Sequence, residues 1–183
     1  SEITRSLTEN DINPSDLRDI FLVEGAVVAT DPKTGNIFGM IGDRLDGEYL
    51  NLQRIKRATQ AKRQPGSIFK PFIYMTALEN GYTPSTQLLN QPLVSFIDDT
   101  TQWNPQNHDG STGLKTTLRD GLKNSLNLIS VRSVQKLVTP REVVRKAKSF
   151  NLTTKIRAVN AIALGVSDVI PIEITSAYAS IAN

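Results

Sequence analysis

Apolar and polar residues alternate in two short segments near the start of the chain, and this pattern predicts a β-hairpin. The segments EGAVVATD (24–31) and NIFGMIGD (36–43) are joined by the turn DPKTGN. Pro32 suits the second position of a type I turn, and Gly35 can adopt the left-handed conformation that closes it. Two strands alone seldom make a stable sheet, so we expect the remaining strands either after Asn183 or in a partner.

Helical patterns dominate the rest of the chain. From Ser67 to about Asn80 nearly every position is apolar and Gly81 is a typical stop signal, which predicts a helix buried on most sides. Thr117 and Thr139 each precede an acidic residue by three positions, the pattern of a capping box. The four further predicted helices are TLRDGLKN (117–124), Leu126–Leu137, TPREVVRKAKSF (139–150) and Pro171–Ala182.

Two stretches lack such patterns. Residues 1–20 are polar, and we interpret them as a linker or the end of a preceding region. Residues 82–116 contain turn formers with little periodicity and are predicted as an extended loop, which at this length is often functional. The chain opens on SEITRS without methionine, so we expect it to be an excised or processed piece.

Composition limits the classes of function. The 183 residues are 39% hydrophobic and 21% charged, as in one globular domain, and the net charge of +3 is too small to predict a nucleic-acid partner. Cysteine is absent, which excludes disulfides, thiolate metal sites and cysteine nucleophiles. The basic segment RIKRATQAKR (54–63) favours a solvated edge over contact with nucleic acid or anionic glycan. No apolar run approaches the length of a membrane span.

The stretch RQPGSIFKPF (63–72) places a hydroxyl and an amine one turn apart at a predicted helix start. Pro71 has no N–H, and its ring clashes with the carbonyl four residues back, so regular helix cannot begin much before Ser67. The unpaired N–H groups there could hold an oxyanion, and a desolvated Lys70 could accept the proton of the serine. Serine is also a common helix cap, and from these residues alone both interpretations of Ser67 stay open.

A second Ser-x-x-Lys pair, Ser133 with Lys136, serves as an internal comparison. This pair falls in the middle of a predicted helix, where the backbone N–H groups are already bonded and no oxyanion site exists. We therefore interpret it as a surface pair on the helix rather than a second catalytic site.

Several linked segments resemble the transpeptidase domain of class A, bifunctional penicillin-binding proteins. RATQAKRQPGSIFKPFIY carries the Ser-x-x-Lys motif of that family, and Asn124-Ser125-Leu126-Asn127 resembles its Ser-x-Asn motif. The segments WNPQNHDGSTG, TTLRDGLKNSLNLISVR and ALGVSDVIPIEITSAYASIAN follow the family order. The resemblance covers roughly residues 24 to 183 and implies an α+β, β-lactamase/transpeptidase-like fold, with a helical cluster packed on an antiparallel sheet.

The resemblance implies a peptidoglycan D,D-transpeptidase that cross-links stem peptides ending in D-Ala-D-Ala and is acylated by β-lactam antibiotics. Ser67 would be the nucleophile and Lys70 its base. Ser125 would relay a proton to the leaving amine, and Asn127 would bond Lys70 and the substrate amide. Trp103 is a candidate substrate-binding residue lining the cleft, with plain packing as the open alternative.

Asn107 is a second candidate for substrate binding, and His108 is interpreted as a loop residue near the cleft mouth. Because His108 is the only histidine, a triad or metal site built on it lacks partners, and no cofactor or metal is implied. The resemblance places the parent protein on the outer side of the bacterial cytoplasmic membrane, where a membrane anchor and a glycosyltransferase domain normally precede this domain.

The third family motif, Lys-Thr/Ser-Gly, normally follows the second on a strand. Lys33-Thr34-Gly35 has these residues but precedes Ser67, and turn chemistry explains it. We therefore interpret residues 21–183 as the N-terminal portion of the domain, with an incomplete sheet and low activity on its own.

Two other functions are possible within this chemistry. A β-lactamase-like hydrolase would need a deacylating glutamate in a Glu-x-x-Leu-Asn context, which neither Glu142 nor Glu173 has. A non-catalytic sensor would keep the fold and become acylated without turning over. Turnover of a thioester substrate distinguishes the enzyme from the sensor.

Overall fold

The computed structural model of the protein describes residues 25–42, 57–96 and 102–183. The predicted linker, residues 1–20, and the first part of the basic segment, residues 54–56, lie outside the described residues.

The predicted hairpin is present. Strand β1 (Val27–Thr30) pairs antiparallel with β2 (Ile37–Ile41). Gly35 has a φ of 73°, so its predicted left-handed conformation is confirmed. The Asp31 carboxylate accepts hydrogen bonds from the Lys33 N–H and the Thr34 hydroxyl, which closes the turn locally. Lys33-Thr34-Gly35 is therefore a turn, as predicted.

The helix after Pro65 begins with a tighter turn. Residues Gly66–Phe69 form a 3₁₀ turn that leads directly into α1 (Lys70–Glu79). Because Pro71 has no N–H to donate to the Ser67 carbonyl, the Lys70 N–H donates to it instead, which is the shorter 3₁₀ spacing. Gly81, with a φ of 90°, follows the end of α1, as predicted.

The other helices agree with the sequence pattern to within about two residues. They are α2 (Leu118–Lys123), α3 (Asn127–Lys136), α4 (Pro140–Ser149) and α5 (Pro171–Ala182). The side chain of Thr117 accepts from the Asp120 N–H, and Thr139 forms a complete capping box with Glu142. A second 3₁₀ turn, Asn160–Leu164, was not predicted.

The loop interpretation of residues 82–116 is partly wrong. Four short strands lie here, in two antiparallel pairs: β3 (Gln87–Leu89) with β6 (Lys115–Thr117), and β4 (Ser95–Phe96) with β5 (Gln102–Trp103). Strands of two or three residues are too short to show an alternating pattern in sequence. Within the described ranges, each of the three sheets has two strands.

Helix α1 lies at the centre of the helical cluster and contacts α2, α3 and α4, while α5 packs on β1. Phe72 is fully buried, with its ring 5.0 Å from that of Phe69 and 5.6 Å from that of Phe150. Ser133 is also fully buried and its hydroxyl donates to the Ile129 carbonyl, so the predicted surface position of this serine is wrong. The buried residues of α3 also include Ile129 and Val134, and this helix packs against both α1 and the second 3₁₀ turn. In the described part of the chain, no helix has the length and apolar character to span a membrane.

Candidate active site

The hydroxyl-bearing Ser67 lies exposed in the first 3₁₀ turn and borders a cavity of about 790 Å³. Gly66, immediately before it, has a φ of 58°, a left-handed conformation that glycine adopts without strain. The residues that line the cavity are Ser67, Asn107, His108, Asp109, Asn124, Ser125, Leu126 and Asn127. Three of the four predicted catalytic residues therefore share one cavity.

Lys70 is the fourth, and it is a buried lysine, only 1% exposed, one turn after Ser67. Its Nζ donates to the Ser125 carbonyl at 2.6 Å, to the Ser125 Oγ at 3.0 Å and to the Asn127 Oδ1 at 2.7 Å. Among the described residues, Lys70 Nζ forms these bonds and none to Ser67. The arrangement joins the serine-lysine turn to residues that lie 55 and 57 positions later in the chain.

Burial changes the proton affinity of this lysine. Desolvation lowers the pKa of Lys70 from 10.5 to about 8, because a buried ammonium loses its hydration. The three oxygen acceptors favour the ammonium and oppose this effect. At pH 7 about a tenth of Lys70 is then neutral, enough to act as a base.

Ser125 has an unusual backbone that serves this contact. Its φ is 52°, a left-handed conformation uncommon for residues other than glycine. It lies in the tight connection between α2 and α3, where its N–H donates to the Leu122 carbonyl and the next N–H, of Leu126, donates to the Gly121 carbonyl. This turn directs both the carbonyl and the hydroxyl of Ser125 at Lys70.

Asn127 is the first residue of α3, and its amide bridges two parts of the site. Its Oδ1 accepts from Lys70, and its Nδ2 donates to the Gln106 carbonyl at 2.8 Å. With both ends bonded, the side chain has one orientation, in which the oxygen faces the lysine.

The two predicted substrate-binding residues differ in their environments. Trp103 lies in β5, partly buried against the hydrophobic core. Asn107 borders the cavity, but it is 5% exposed and its amide is bonded to Asn90, Ser111 and Leu128. A substrate role stays a prediction for both.

A close backbone contact behind Ser67 was missed in the sequence. Gly165 has a φ of 67°, and a Cβ placed on it would lie 2.3 Å from the Gly66 carbonyl oxygen. The Gly66 N–H donates to the Gly165 carbonyl, which ties the second 3₁₀ turn to the turn that carries Ser67. The Tyr178 hydroxyl donates to the Ile68 carbonyl at 2.7 Å. In the sequence, Gly165 in the stretch ALGVSD was the only local signal of this close contact.

The site has no ligand set for a metal in the described ranges, where no group of three or more His, Cys, Asp or Glu residues could hold an ion. His108 lines the cavity as a single exposed imidazole, in the loop position predicted for it. The geometry places an exposed hydroxyl in the first turn of a helix and a buried amine one turn later, an arrangement that suits acyl transfer through a serine ester.

Comparison with known proteins agrees with this chemistry. Penicillin-binding protein 1A of Rickettsia felis is 36% identical over 168 residues, which are 91% of this chain and 21% of that protein. Penicillin-binding protein 2D of Bacillus subtilis is 37% identical over 157 residues, 85% of this chain and 22% of that protein. The chain therefore spans about a fifth of the length of these relatives.

A solved structure, penicillin-binding protein 1A from Haemophilus influenzae, superimposes with a TM-score of 0.73 at 32% identity, over 84% of this chain and 22% of that one. The predicted α+β transpeptidase fold is thereby confirmed. Residues 25–183 match the family described as the penicillin binding protein transpeptidase domain. This match covers most of the chain, which belongs to that family.

Proposed function

We propose that this chain carries the acylating half of a peptidoglycan D,D-transpeptidase site, with Ser67 as nucleophile. The observation that carries the proposal is the buried Lys70, one turn after an exposed serine and bonded to both Ser125 and Asn127. A lysine with a purely structural role would be expected to pair with a carboxylate in the interior, whereas the hydrogen-bond partners of Lys70 in the described part of the chain are uncharged oxygens. For a base such burial is useful, because it lowers the pKa of the amine.

Acylation begins when neutral Lys70 accepts the proton of the Ser67 hydroxyl. The Oγ then attacks the carbonyl carbon of the penultimate D-alanine of a stem peptide, and a C–O bond forms. The developing oxyanion is stabilised by the Ser67 N–H, which lies at the start of the 3₁₀ turn, where backbone donors have no acceptor within the helix. Collapse of this intermediate breaks the C–N bond to the terminal D-alanine.

Ser125 carries the proton to the leaving amine. Its Oγ lies 3.0 Å from Lys70 Nζ, so the hydroxyl can donate its proton to the amine while it takes one from the lysine. Terminal D-alanine leaves and the acyl-enzyme remains on Ser67. An amine of a neighbouring stem peptide attacks the ester, the same groups return the protons, and the cross-link forms.

β-Lactams present a strained amide in place of the D-Ala-D-Ala bond, so they are expected to acylate Ser67 and stay attached. The parent protein would act on peptidoglycan at the outer side of the cytoplasmic membrane, held by an anchor and accompanied by a glycosyltransferase domain. The names of the relatives, penicillin-binding proteins 1A and 2D, support this assignment.

The experiment that tests the function uses the full-length protein, a fluorescent penicillin and a thioester analogue of the donor stem peptide. A transpeptidase retains the penicillin label for hours and consumes the thioester, and a D-amino acid acceptor diverts the product from acid to amide. Peptide mass spectrometry is expected to locate the label on Ser67.

Two results would contradict the proposal. A protein that is labelled but never consumes the thioester is a sensor. A protein that loses the label quickly by hydrolysis and gives no amide product is a β-lactamase-like hydrolase.

The contact between Gly165 and Gly66 predicts a strong effect of a single methyl group. In Gly165→Ala the new Cβ would lie 2.3 Å from the Gly66 carbonyl oxygen and 2.9 Å from its nitrogen, so the backbone before Ser67 must shift. A displacement of the nucleophile by about 1 Å costs roughly 10²-fold in rate. We expect acylation by penicillin to fall by at least about 10-fold, measured by stopped-flow labelling.

Gly35→Ala is the matched control for this variant. Gly35 has a similar φ, 73°, but nothing lies within 4 Å of a Cβ placed there. Both variants strain the backbone by about 1–2 kcal/mol, yet only the first one disturbs Ser67. Equal acylation rates for the two variants would show that the close contact does not position the nucleophile.

A further inference from the structure

Asn107 borders the cavity, but its side-chain amide is buried and its hydrogen bonds are all made to the protein. It is 5% exposed, whereas its neighbours Gln106 and His108 are exposed. Its Nδ2 donates to the Asn90 Oδ1 at 2.9 Å and to the Ser111 carbonyl at 2.7 Å. Its Oδ1 accepts from the Leu128 N–H at 3.1 Å. A flipped amide would turn the NH₂ group toward that N–H, so these partners allow one orientation.

The Leu128 N–H belongs to the first turn of α3, where backbone donors have no acceptor within the helix. The residue before the helix, Leu126, provides no side-chain cap. Asn107 therefore caps α3 from a different part of the chain. The adjacent Gln106 carbonyl accepts from the Asn127 Nδ2, so residues 106 and 107 hold both the backbone and the side chain at the start of α3.

Gln106 and Asn107, which together we call the clamp, determine which atom of Asn127 faces Lys70. With its Nδ2 on Gln106, the Asn127 amide has its oxygen free to accept from Lys70 Nζ at 2.7 Å. The Asn127 side chain is thus fixed at two points, by the Gln106 carbonyl and by the lysine, while Asn107 holds the next backbone N–H, that of Leu128. Loss of the clamp would let the carboxamide rotate and release the amine it holds.

Asn90 anchors the clamp to the β3–β6 sheet. Its side chain is 6% exposed, its N–H donates to the Leu114 carbonyl, and its carbonyl accepts from the Gly113 N–H. The sheet, the loop around Asn107 and the start of α3 therefore form one hydrogen-bonded unit that ends at Lys70.

We propose that Asn107, supported by Asn90, is a positioning residue that holds Asn127 and, through it, the Lys70 amine in line for proton transfer. This role rests on the proposed function, and it replaces a direct contact of the Asn107 side chain with substrate. Loss of such positioning slows the chemical step, whereas loss of a substrate contact weakens the initial complex.

Asn107→Ala in the full-length protein separates these effects. We expect the acylation rate constant for penicillin to fall roughly 10- to 100-fold, with the dissociation constant of the noncovalent complex changed less than about 3-fold. Thr139→Ala is the matched control, because it removes the side-chain cap of α4, which has no contact with the clamp. It should lower the melting temperature and leave the acylation rate constant unchanged.

Asn90→Ala provides a milder test in case Asn107→Ala does not fold. It removes the Asn90 acceptor of the Asn107 Nδ2 and leaves the Ser111 acceptors, so we expect a smaller fall of the rate constant with the same unchanged dissociation constant. An unchanged rate constant in either folded variant overturns the proposal. A weakened noncovalent complex at an unchanged rate constant would instead make Asn107 a substrate contact.

NMR titration of Lys70 separates failure of this proposal from failure of the proposed function. If wild-type protein is never acylated at Ser67, the proposed function is wrong, yet the Lys70 titration still tests the clamp. We expect the midpoint of the Lys70 titration to fall in Asn107→Ala, since the ammonium loses a fixed acceptor, and to stay in place in Thr139→Ala. If the midpoint of the Lys70 titration is the same in both variants, the positioning role of Asn107 is wrong, whatever the activity.

Discussion

Ser67→Ala is expected to abolish covalent labelling by penicillin. The hydroxyl is the only group at the start of the 3₁₀ turn that can form an ester, and its removal leaves the cavity otherwise intact. The Ser125 Oγ also lies beside Lys70, at 3.0 Å, but we propose it as the proton relay and expect no slower residual labelling there. Ser67 is exposed, so the variant should melt within a degree or two of the wild type.

Ser133→Ala is the control for this variant, since Ser133 belongs to the second Ser-x-x-Lys pair of the chain. Its hydroxyl is buried and donates to a carbonyl of its own helix, so its loss should affect stability and not labelling. Fluorescent-penicillin gels with both variants decide the assignment. Labelled Ser67→Ala, or an adduct on any other residue, would contradict it.

Lys70→Arg is expected to reduce acylation by at least about 10²-fold although the positive charge is kept. A guanidinium cannot be deprotonated in a protein, so it cannot accept the Ser67 proton. Because Lys70 is 1% exposed, the larger side chain also strains the core. Lys70→Met, similar in length and without a base, should be equally inactive, while Lys136→Arg should retain the wild-type rate.

The wild-type pH profile tests the same base. Only the neutral amine accepts a proton, so the acylation rate should rise with pH and level off above the Lys70 pKa of about 8. An exposed lysine would place this rise near pH 10.5. A rate that is constant from pH 6 to pH 9, or substantial acylation by Lys70→Arg, would show that another group is the base.

Local elements of this protein could be predicted from short stretches of sequence. The Thr139 capping box, the Gly35 turn and the stop at Gly81 depend on residues within four positions of each other. The position of Ser67 at a helix start follows in the same way from Pro71, which cannot donate to the Ser67 carbonyl. These features are steric and hydrogen-bonding properties of the chain itself, and packing did not change them.

Other features depend on groups that meet only after the chain folds. The lowered pKa of Lys70 requires burial under α3, and its partners Ser125 and Asn127 come from residues 55 and 57 positions away. Ser125 has a positive φ with no sequence signal, because the tight connection of two packed helices imposes it. Sequence identified the residue types, and the tertiary structure decided their distances and proton affinities.

Asn107 shows most clearly where sequence reasoning ends. From the sequence it is a candidate for substrate binding. In the fold it borders the cavity but is buried, and its amide is bonded to Asn90, Ser111 and Leu128. By itself the sequence determined which groups could do the chemistry, through local steric rules. Which of them face the substrate and which hold their neighbours in place was decided only by long-range packing, because burial and hydrogen-bond partners depend on the whole fold.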